Sequence, residues 1–162
     1  IRYASISQTY MNEAGNNRIY ELQMTARNII EMVKDVRELQ RNLNHYMKSH
    51  DTVIIDKYNE LRAEVINVLR AIQDVRDMEG EDEDILTRIE MQKEIHKQKE
   101  VALNKEIDAL IRDNKISSLA ASSLMNDIGF THSICKKFLK SATTLWVTEP
   151  EIKELGDEYG YE

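Results

Sequence analysis

The sequence predicts an all-α fold: an up-and-down antiparallel four-helix bundle of long helices. Apolar residues recur at alternating spacings of three and four along four long stretches, which is the a/d pattern of helices that pack in a coiled-coil seam. Only a few residues separate the stretches, and short turns make neighbouring helices antiparallel. The 162 residues include one Pro and five Gly, so few positions interrupt a helix. No stretch has the alternation of a strand.

The size and charge of the chain limit the classes of function that it can have. Its length fits one domain. The 22 Lys and Arg against 29 Asp and Glu give a net charge of −7, which argues against nucleic-acid binding because such domains present a basic surface. Cys135 is the single cysteine, so no intramolecular disulfide forms and we expect a reducing compartment. No apolar run is long enough to span a bilayer. The chain starts with Ile1 rather than Met, so we expect a longer protein upstream.

The first part of the chain predicts a short segment and then a long helix. Residues 1–17 are predicted as a short N-terminal amphipathic segment, and the bundle is predicted over residues 18–147. Asn17 is the predicted N-cap of a first helix at 18–47. Its apolar seam is predicted at Ile19, Leu22, Ala26, Ile29, Val33, Val36, Leu43 and Met47.

A second helix is predicted at 53–78, with Asp51 or Thr52 as its N-cap. Its seam has no polar break and consists of Ile54, Tyr58, Leu61, Val65, Val68, Ile72 and Val75. The acidic run 79–84 ends this helix and is interpreted as a solvated turn. Its last carboxylates stabilise the start of the next helix through the helix dipole.

The third helix, at 85–113, has apolar ends and a polar middle. The register of its apolar ends places Lys93, His96 and Glu100 on the seam in between. Three interpretations fit: the seam shifts to other residues, the helix is exposed there, or a polar site faces inward. The shift is favoured because it has no energetic cost, and it would bring in Met91, Ile95 and Ala102.

The least charged long run, residues 116–146, predicts the fourth helix, capped by Ser117 or Ser118 and followed by Pro150. Flanking apolar residues widen its seam, which suits a helix packed by more than one neighbour. Asp127 interrupts the run, and we expect it to bond another helix because a carboxylate near a seam needs a partner. Residues 148–162 are predicted as an acidic C-terminal tail. The seam consists of Ala121, Leu124, Ile128, Thr131, Cys135, Phe138, Ala142 and Leu145, flanked by Leu119, Met125, Ile134, Leu139 and Trp146.

The sequence contains no complete catalytic set, and we expect no enzyme, catalytic residue or cofactor. A di-iron site is excluded because no His lies three positions after a carboxylate. Carboxylates one turn apart bind hard cations if a second helix adds oxygens, and Glu31 with Asp35 is the candidate pair for a divalent metal. Cys135 is interpreted as a core thiol.

Two other spacings are noted on the third and fourth helices. His96 and Lys99 have the His-x-x-Lys spacing of histidine phosphotransfer domains, although Glu100 would repel a phosphoryl group. Lys136, Lys137 and Lys140 form a small basic patch. This patch complements the helix dipole or contacts acidic lipid or an acidic partner.

Residues 107–146, IDALIRDNKISSLAASSLMNDIGFTHSICKKFLKSATTLW, resemble the C-terminal cytoplasmic region of bacterial sodium/phosphate cotransporters. In those proteins a PhoU-like helical bundle follows the membrane part. The shared features are a charged helix that ends in a short Asn/Lys turn, then Ile-Ser, a Ser-Leu-Met-Asn-Asp run and an Ile-x-Lys-type continuation. The rest of the chain is similar only as long amphipathic helices.

The resemblance implies a PhoU-like fold and a non-enzymatic regulatory role in phosphate transport. It implies a place at the cytoplasmic face of the inner membrane, as part of an integral membrane protein, with the transporter domain of the same polypeptide as partner. A homodimer and contact of Lys136, Lys137 and Lys140 with the inner membrane surface are further expectations.

Some PhoU-like domains bind metal clusters through acidic pairs with Glu/Asp-x-x-x-Asp spacing, which Glu31 and Asp35 match. On the fourth helix, however, Ser123 stands four residues before Asp127 in place of an acid. We therefore carry over the regulatory role and not the metal. Two alternatives stay open: a phosphotransfer domain with His96 as acceptor, and a generic oligomerisation or signalling bundle of the spectrin or coiled-coil kind.

Overall fold

A computed structural model describes residues 13–78 and 82–147, which form four helices and no strand. The helices are α1 (Glu13–Tyr46), α2 (Thr52–Arg76), α3 (Asp82–Arg112) and α4 (Ser118–Trp146). The predicted all-α four-helix bundle is confirmed. Within these ranges, no helix combines the length and the hydrophobicity that a membrane crossing requires. The predicted acidic tail and most of the predicted N-terminal segment (residues 1–12) lie outside the described residues.

Two of the predicted N-caps are confirmed. One carboxylate oxygen of Asp51 accepts hydrogen bonds from the backbone N–H groups of Val53 at 3.0 Å and Ile54 at 3.2 Å. The hydroxyl of Ser117 accepts one from the N–H of Ala120 at 3.2 Å. These bonds satisfy N–H groups that have no partner within the first helical turn.

The turn between α3 and α4 is formed by Asn114 and Lys115, as the sequence predicts. Asn114 has a positive φ of 54°, which Asn tolerates better than most residues because its short polar side chain bonds locally. The N–H of Lys115 then donates to the carbonyl of Leu110 at 2.9 Å and closes the end of α3.

The predicted cap at Asn17 is wrong, because α1 already includes residues 13–17. Gly15 lies inside the helix, where it costs about 1 kcal/mol relative to Ala. Glu13 in the first turn offsets part of this cost through the helix dipole. The remaining cost of Gly15 is outweighed by the backbone hydrogen bonds that continue through this 34-residue helix.

Helix α4 is the central element of the bundle. It packs against all three other helices, whereas α1 touches α2 only slightly. Eleven residues of α4 are buried, compared with three in α1. The prediction that more than one neighbour packs on α4 is therefore confirmed. Three residues expected in or beside its seam are nevertheless exposed: Leu119, Met125 and Leu145.

The core consists of two apolar clusters stacked along the bundle. The first combines the end of α1, the start of α2, the end of α3 and the start of α4, which requires antiparallel neighbours: Leu39, Ile54, Tyr58, Leu61, Ile107, Ile116, Ala120, Ala121, Leu124, Ile128 and Ile134. The second lies towards the other end and contains, among the described residues, none of α1: Val68, Val75, Ile85, Ile89, Cys135, Leu139 and Ala142.

The predicted seam of α1 is wrong over most of the helix, although the last two seam residues, Leu43 and Met47, pack against the first cluster. The buried residues are Thr25, Met32 and Leu39, each seven positions after the last. The helix is thus rotated by about one residue, or roughly 100°, from the predicted register. It presents polar side chains to α4, and the predicted seam residues Leu22, Ile29, Val33 and Val36 are exposed.

The favoured interpretation of α3 is also wrong. Met91, Ile95 and Ala102 are exposed, whereas His96 is buried with 5% of its surface accessible. The helix keeps one register throughout, and the third interpretation, a polar site that faces inward, is the correct one.

A pair of truncations tests the rotation of α1. Met32→Ala should lower the free energy of unfolding by about 2–4 kcal/mol, because it leaves a cavity at a buried site. Val33→Ala should lower it by less than about 0.5 kcal/mol, because Val33 is exposed. Urea denaturation measures both values. The opposite order would place the apolar seam of α1 inside the bundle.

Candidate functional site

A polar layer, in which His96 and Thr131 are buried and the other residues are partly exposed, separates the two apolar clusters and is the candidate site. It is formed by Glu64 of α2, His96 and Glu100 of α3, and Thr131 and His132 of α4. Helices α2, α3 and α4 therefore each contribute polar groups between their contributions to the two clusters.

Glu64 holds His96 in place. Nδ1 of His96 lies 2.8 Å from one carboxylate oxygen of Glu64, and Nζ of Lys99 lies 2.8 Å from the other. Burial by itself would raise the pKa of Glu64, but the hydrogen bonds from His96 and Lys99 outweigh it and lower the pKa below its usual range. Since an ionised carboxylate can only accept, Nδ1 of His96 carries the proton. In the tautomer with this proton on Nδ1, Nε2 is a lone-pair acceptor.

His132 lies flat against His96. The ring centroids are 5.0 Å apart and the planes differ by 15°. Nδ1 of His132 is 2.8 Å from a carboxylate oxygen of Glu100. Burial lowers the pKa of His132, the charge of Glu100 opposes this, and His96 and Lys136 lower the pKa further.

The polar layer borders a cavity of about 300 Å³ between α2, α3 and α4. Three buried polar atoms of cavity-lining residues form no hydrogen bond: Nε2 of His96, Oγ1 of Thr131, and Nδ1 of His132, which lies close to Glu100 without hydrogen-bond geometry. Buried polar groups are nearly always bonded, so each such atom calls for an explanation.

The two stacked rings are not arranged to chelate one metal ion. A metal ion binds in the plane of an imidazole at about 2 Å from the nitrogen, and two nearly parallel planes do not share such a point. Among the residues that the structure describes, no group of three or more His, Cys, Asp or Glu side chains is placed to hold a metal.

Asp127 forms a second buried polar cluster, one α4 turn away. It accepts a hydrogen bond from the hydroxyl of Tyr58 at 2.6 Å and one from the side-chain amide of Asn42 at 2.9 Å. The prediction that Asp127 bonds other helices is confirmed, and it connects α1, α2 and α4. Burial raises its pKa, the two hydrogen bonds lower it in part, and the charge of Glu38 raises it. Burial and Asp127 also raise the pKa of Tyr58.

The structure places Glu31 and Asp35 on either side of a lysine. Nζ of Lys137 lies 3.1 Å from Glu31 and 3.2 Å from Asp35, and Ser133 also donates to Asp35 at 2.9 Å. The positive charge between these two carboxylates is thus an ammonium group. A divalent metal at this pair stays a prediction that the structure does not test.

The three lysines of the predicted basic patch do not form one surface. Lys137 is partly buried by its pairing with α1, whereas Lys136 and Lys140 are exposed. Cys135 lies in the second apolar cluster, where burial raises the pKa of its thiol to about 12. The interpretation of Cys135 as a core thiol is confirmed.

Sequence reasoning named His96 but missed its surroundings. In the sequence Glu64 is one of three acids spaced four apart, with Asp56 and Glu60, and Thr131 is one seam residue among many, so neither stands out. Two signals are present in the sequence: His96 and Thr131 are polar residues on seams with apolar ends, and Glu64 directly precedes the seam residue Val65. Pairing these three positions required the relative heights of the helices, which a single sequence does not contain.

Tyr58→Phe should lower the free energy of unfolding by about 2 kcal/mol near neutral pH, because it removes a hydrogen bond to a buried carboxylate. Since the folded-state pKa of Asp127 is raised, this cost should shrink as the pH falls through that raised pKa, because a protonated carboxyl gains less from the Tyr58 hydroxyl than a carboxylate does. Denaturation curves at several pH values measure both effects. Tyr46→Phe is the matched control, because Tyr46 stacks on Tyr58 through its ring. Equal costs for the two variants would contradict the assigned role of the Tyr58 hydroxyl.

His132 should make the protein less stable in mild acid. Its folded-state pKa is lowered, so the unfolded chain binds the proton first as the pH falls through about 6.5, and stability is lost below that pH. His132→Asn should remove this loss, which we expect to be up to about 1 kcal/mol. Denaturation at stepwise pH values compares the variant with wild type and with His50→Asn, which alters an exposed histidine. A wild-type stability that is flat over this range would refute the assignment.

No protein-family model, curated protein or solved structure matches the chain. The likeness to the cotransporter region accordingly rests on the residues of α3 and α4 quoted above.

Proposed function

We propose that this bundle is a non-enzymatic regulatory and interaction domain of a sodium-dependent phosphate cotransporter. In this proposal it docks a helix of the transporter part of the same polypeptide along α1, at the cytoplasmic face of the inner membrane. The observation that carries the proposal is the apolar stripe that α1 leaves exposed.

The stripe consists of residues with the a/d spacing of a helix-packing seam, together with one neighbour: Leu22, Ile29, Ile30, Val33 and Val36. Ile30 and Val33 keep 60% and 57% of their surface exposed. Contiguous exposed apolar surface usually marks an interaction site. Because the spacing repeats over several turns of a straight helix, the complementary partner is another helix.

A groove continues the stripe towards α2. It has a volume of about 250 Å³ and is apolar except for two residues. Ile66 of α2 lines this groove and is exposed, and Leu69, three residues further along α2, is exposed as well. The slight contact between α1 and α2 leaves this side of the bundle open to a further helix. The groove is lined by Val36, Leu39, Gln40, Leu43, Arg62, Val65, Ile66 and Ile134.

The resemblance of residues 107–146 to the cotransporter region supports the choice of partner. These residues include all of α4, the helix on which the other three pack. The exposed Lys136 and Lys140 are the lysines of the basic patch that remain for contact with acidic lipid, since Lys137 is paired with α1. Each such lysine near the membrane surface contributes about 1 kcal/mol.

A homo-oligomerisation domain is the second candidate, because the same stripe could receive α1 of a second copy. Phosphotransfer has less support. A response regulator must reach the acceptor imidazole, whereas His96 is buried and its Nδ1 is bonded to Glu64.

The combined change Ile30→Glu and Val33→Glu should uncouple the domain from transport. It places charges on the stripe without touching the core, so the fold should persist. In cells that express the full-length protein, the phosphate concentration that represses phosphate uptake should change about fivefold or more. Uptake of radioactive phosphate measures this. Leu119→Glu, on α4, is the control, because Leu119 is 77% exposed and lies outside the stripe.

Phosphate uptake that is the same in wild type and both variants would contradict the proposal. Analytical sedimentation of the purified domain then tests the second candidate, the homo-oligomerisation domain, by measuring its oligomeric state. A dimer that becomes a monomer on Ile30→Glu and Val33→Glu would assign the stripe to self-association instead.

A further inference from the structure

The cavity between α2, α3 and α4 has the size and lining of a small-molecule site. Its volume of about 300 Å³ is at the low end of the range for ligand pockets. Leu61, Leu103 and Ile128 supply apolar walls, and the polar layer of His96 and Thr131 lies along one side. We propose that this cavity binds a small organic ammonium ion, a primary amine with a compact apolar body.

Two of the three unpartnered atoms, Nε2 of His96 and Oγ1 of Thr131, belong to buried residues and set the hydrogen-bonding character of the ligand. His96 is 5% exposed and Thr131 is 3% exposed, so water reaches neither freely. In the tautomer in which Nδ1 of His96 donates to Glu64, Nε2 is the acceptor. The Thr131 hydroxyl also has lone pairs to offer. An ammonium group carries three N–H donors, so it can satisfy both atoms and still bond a carboxylate.

The charges around the cavity favour a cation. Four carboxylates line it: Glu60, Glu64, Glu100 and Glu106. Two ammonium groups oppose them, Lys99 on Glu64 and Lys57 on Glu60 and Glu106. The excess is negative, so an organic anion or phosphate would be repelled at short range, whereas a buried ammonium would find the paired charge that it requires.

A metal ion and an anion fit the site less well. The near-parallel rings of His96 and His132 do not converge on one ion, and the cavity is far larger than a single ion needs. A neighbouring groove lined by Lys93, Lys97 and Lys136 would suit an anion. Thr131, however, lines the cavity with the four carboxylates and does not line the lysine groove. Its unpartnered hydroxyl is therefore available to a cation in the cavity.

Three ligands of one shape and different charge test the proposal: phenethylamine, phenethyl alcohol and hydrocinnamate. Isothermal titration calorimetry at neutral pH should show that the amine binds at least about tenfold more tightly than the alcohol, because its bonds are charge-assisted. Hydrocinnamate should not bind measurably. In nitrogen-15 NMR spectra, the Nε2 signal of His96 should shift when the amine is added, since this atom gains a hydrogen-bond donor.

A shape-conserving variant isolates the hydrogen bond from the fold. Thr131→Val removes a hydroxyl that has no partner, so the domain should remain as stable as wild type or become more stable. Its affinity for phenethylamine should nevertheless fall about fivefold or more, through loss of one hydrogen bond to a charged donor. Thr143→Val is the control, because Thr143 is a residue of α4 that does not line the cavity.

Three outcomes would overturn the proposal. These are no binding of the amine, equal affinities for the three ligands, and an unchanged affinity in Thr131→Val. Equal affinities would indicate an apolar gap without polar recognition. The cavity lies between α2, α3 and α4 and the docking stripe lies on α1, so either proposal can fail while the other holds.

Discussion

The central constraint on this bundle is that α4 must pack against three helices at once. Small residues at its N-terminal end, including Ala120 and Ala121, let its neighbours approach closely, while Leu139 and Ala142 fill the second cluster. Helices α2 and α3 meet α4 through apolar seams. Helix α1 meets it largely through polar groups: Asp35 accepts from α4, and Asn42 donates to Asp127. The position of α1 is therefore set by directional hydrogen bonds together with the burial of Met32 and Leu39.

The polar contact between α1 and α4 explains why the apolar stripe of α1 is exposed to solvent. A helix has one face towards α4, and on α1 that face is occupied by Thr25, Asp35 and Asn42 together with Met32 and Leu39. Burying the stripe instead would remove the hydrogen bond from Asn42 and leave the buried Asp127 with the one from Tyr58, and the loss of a hydrogen bond to a buried carboxyl group is costly. The exposed stripe has its own cost in water, which a docked helix removes. The same orientation of α1 therefore directs its polar side chains to α4 and leaves its apolar stripe accessible to a partner.

The parts of the fold that the sequence predicts are those in which local pattern and tertiary packing agree. The seam of α2, the caps Asp51 and Ser117 and the polar role of Asp127 follow from periodicity and from single side chains. The register of α1 does not, because its strongest apolar periodicity lies one residue away from the face that packs. The polar layer was only partly predictable. His96 is recognisable in the sequence as a polar residue on a seam with apolar ends. Its partner Glu64 lies on another helix, and nothing in the sequence distinguishes it among the 29 Asp and Glu residues.

The open groove and the polar cavity are connected through one turn of α2. Glu64 holds His96 and Lys99 on the cavity side, and the next two residues, Val65 and Ile66, line the groove beside α1. Side chains on one helical turn move together, because the backbone hydrogen bonds of the helix keep its shape. A helix wedged between α1 and α2 would therefore move Glu64 relative to His96, and a ligand that fixes His96 would oppose that movement. Coupling of this kind is reciprocal, so occupation of the cavity and docking along α1 would each change the affinity of the other.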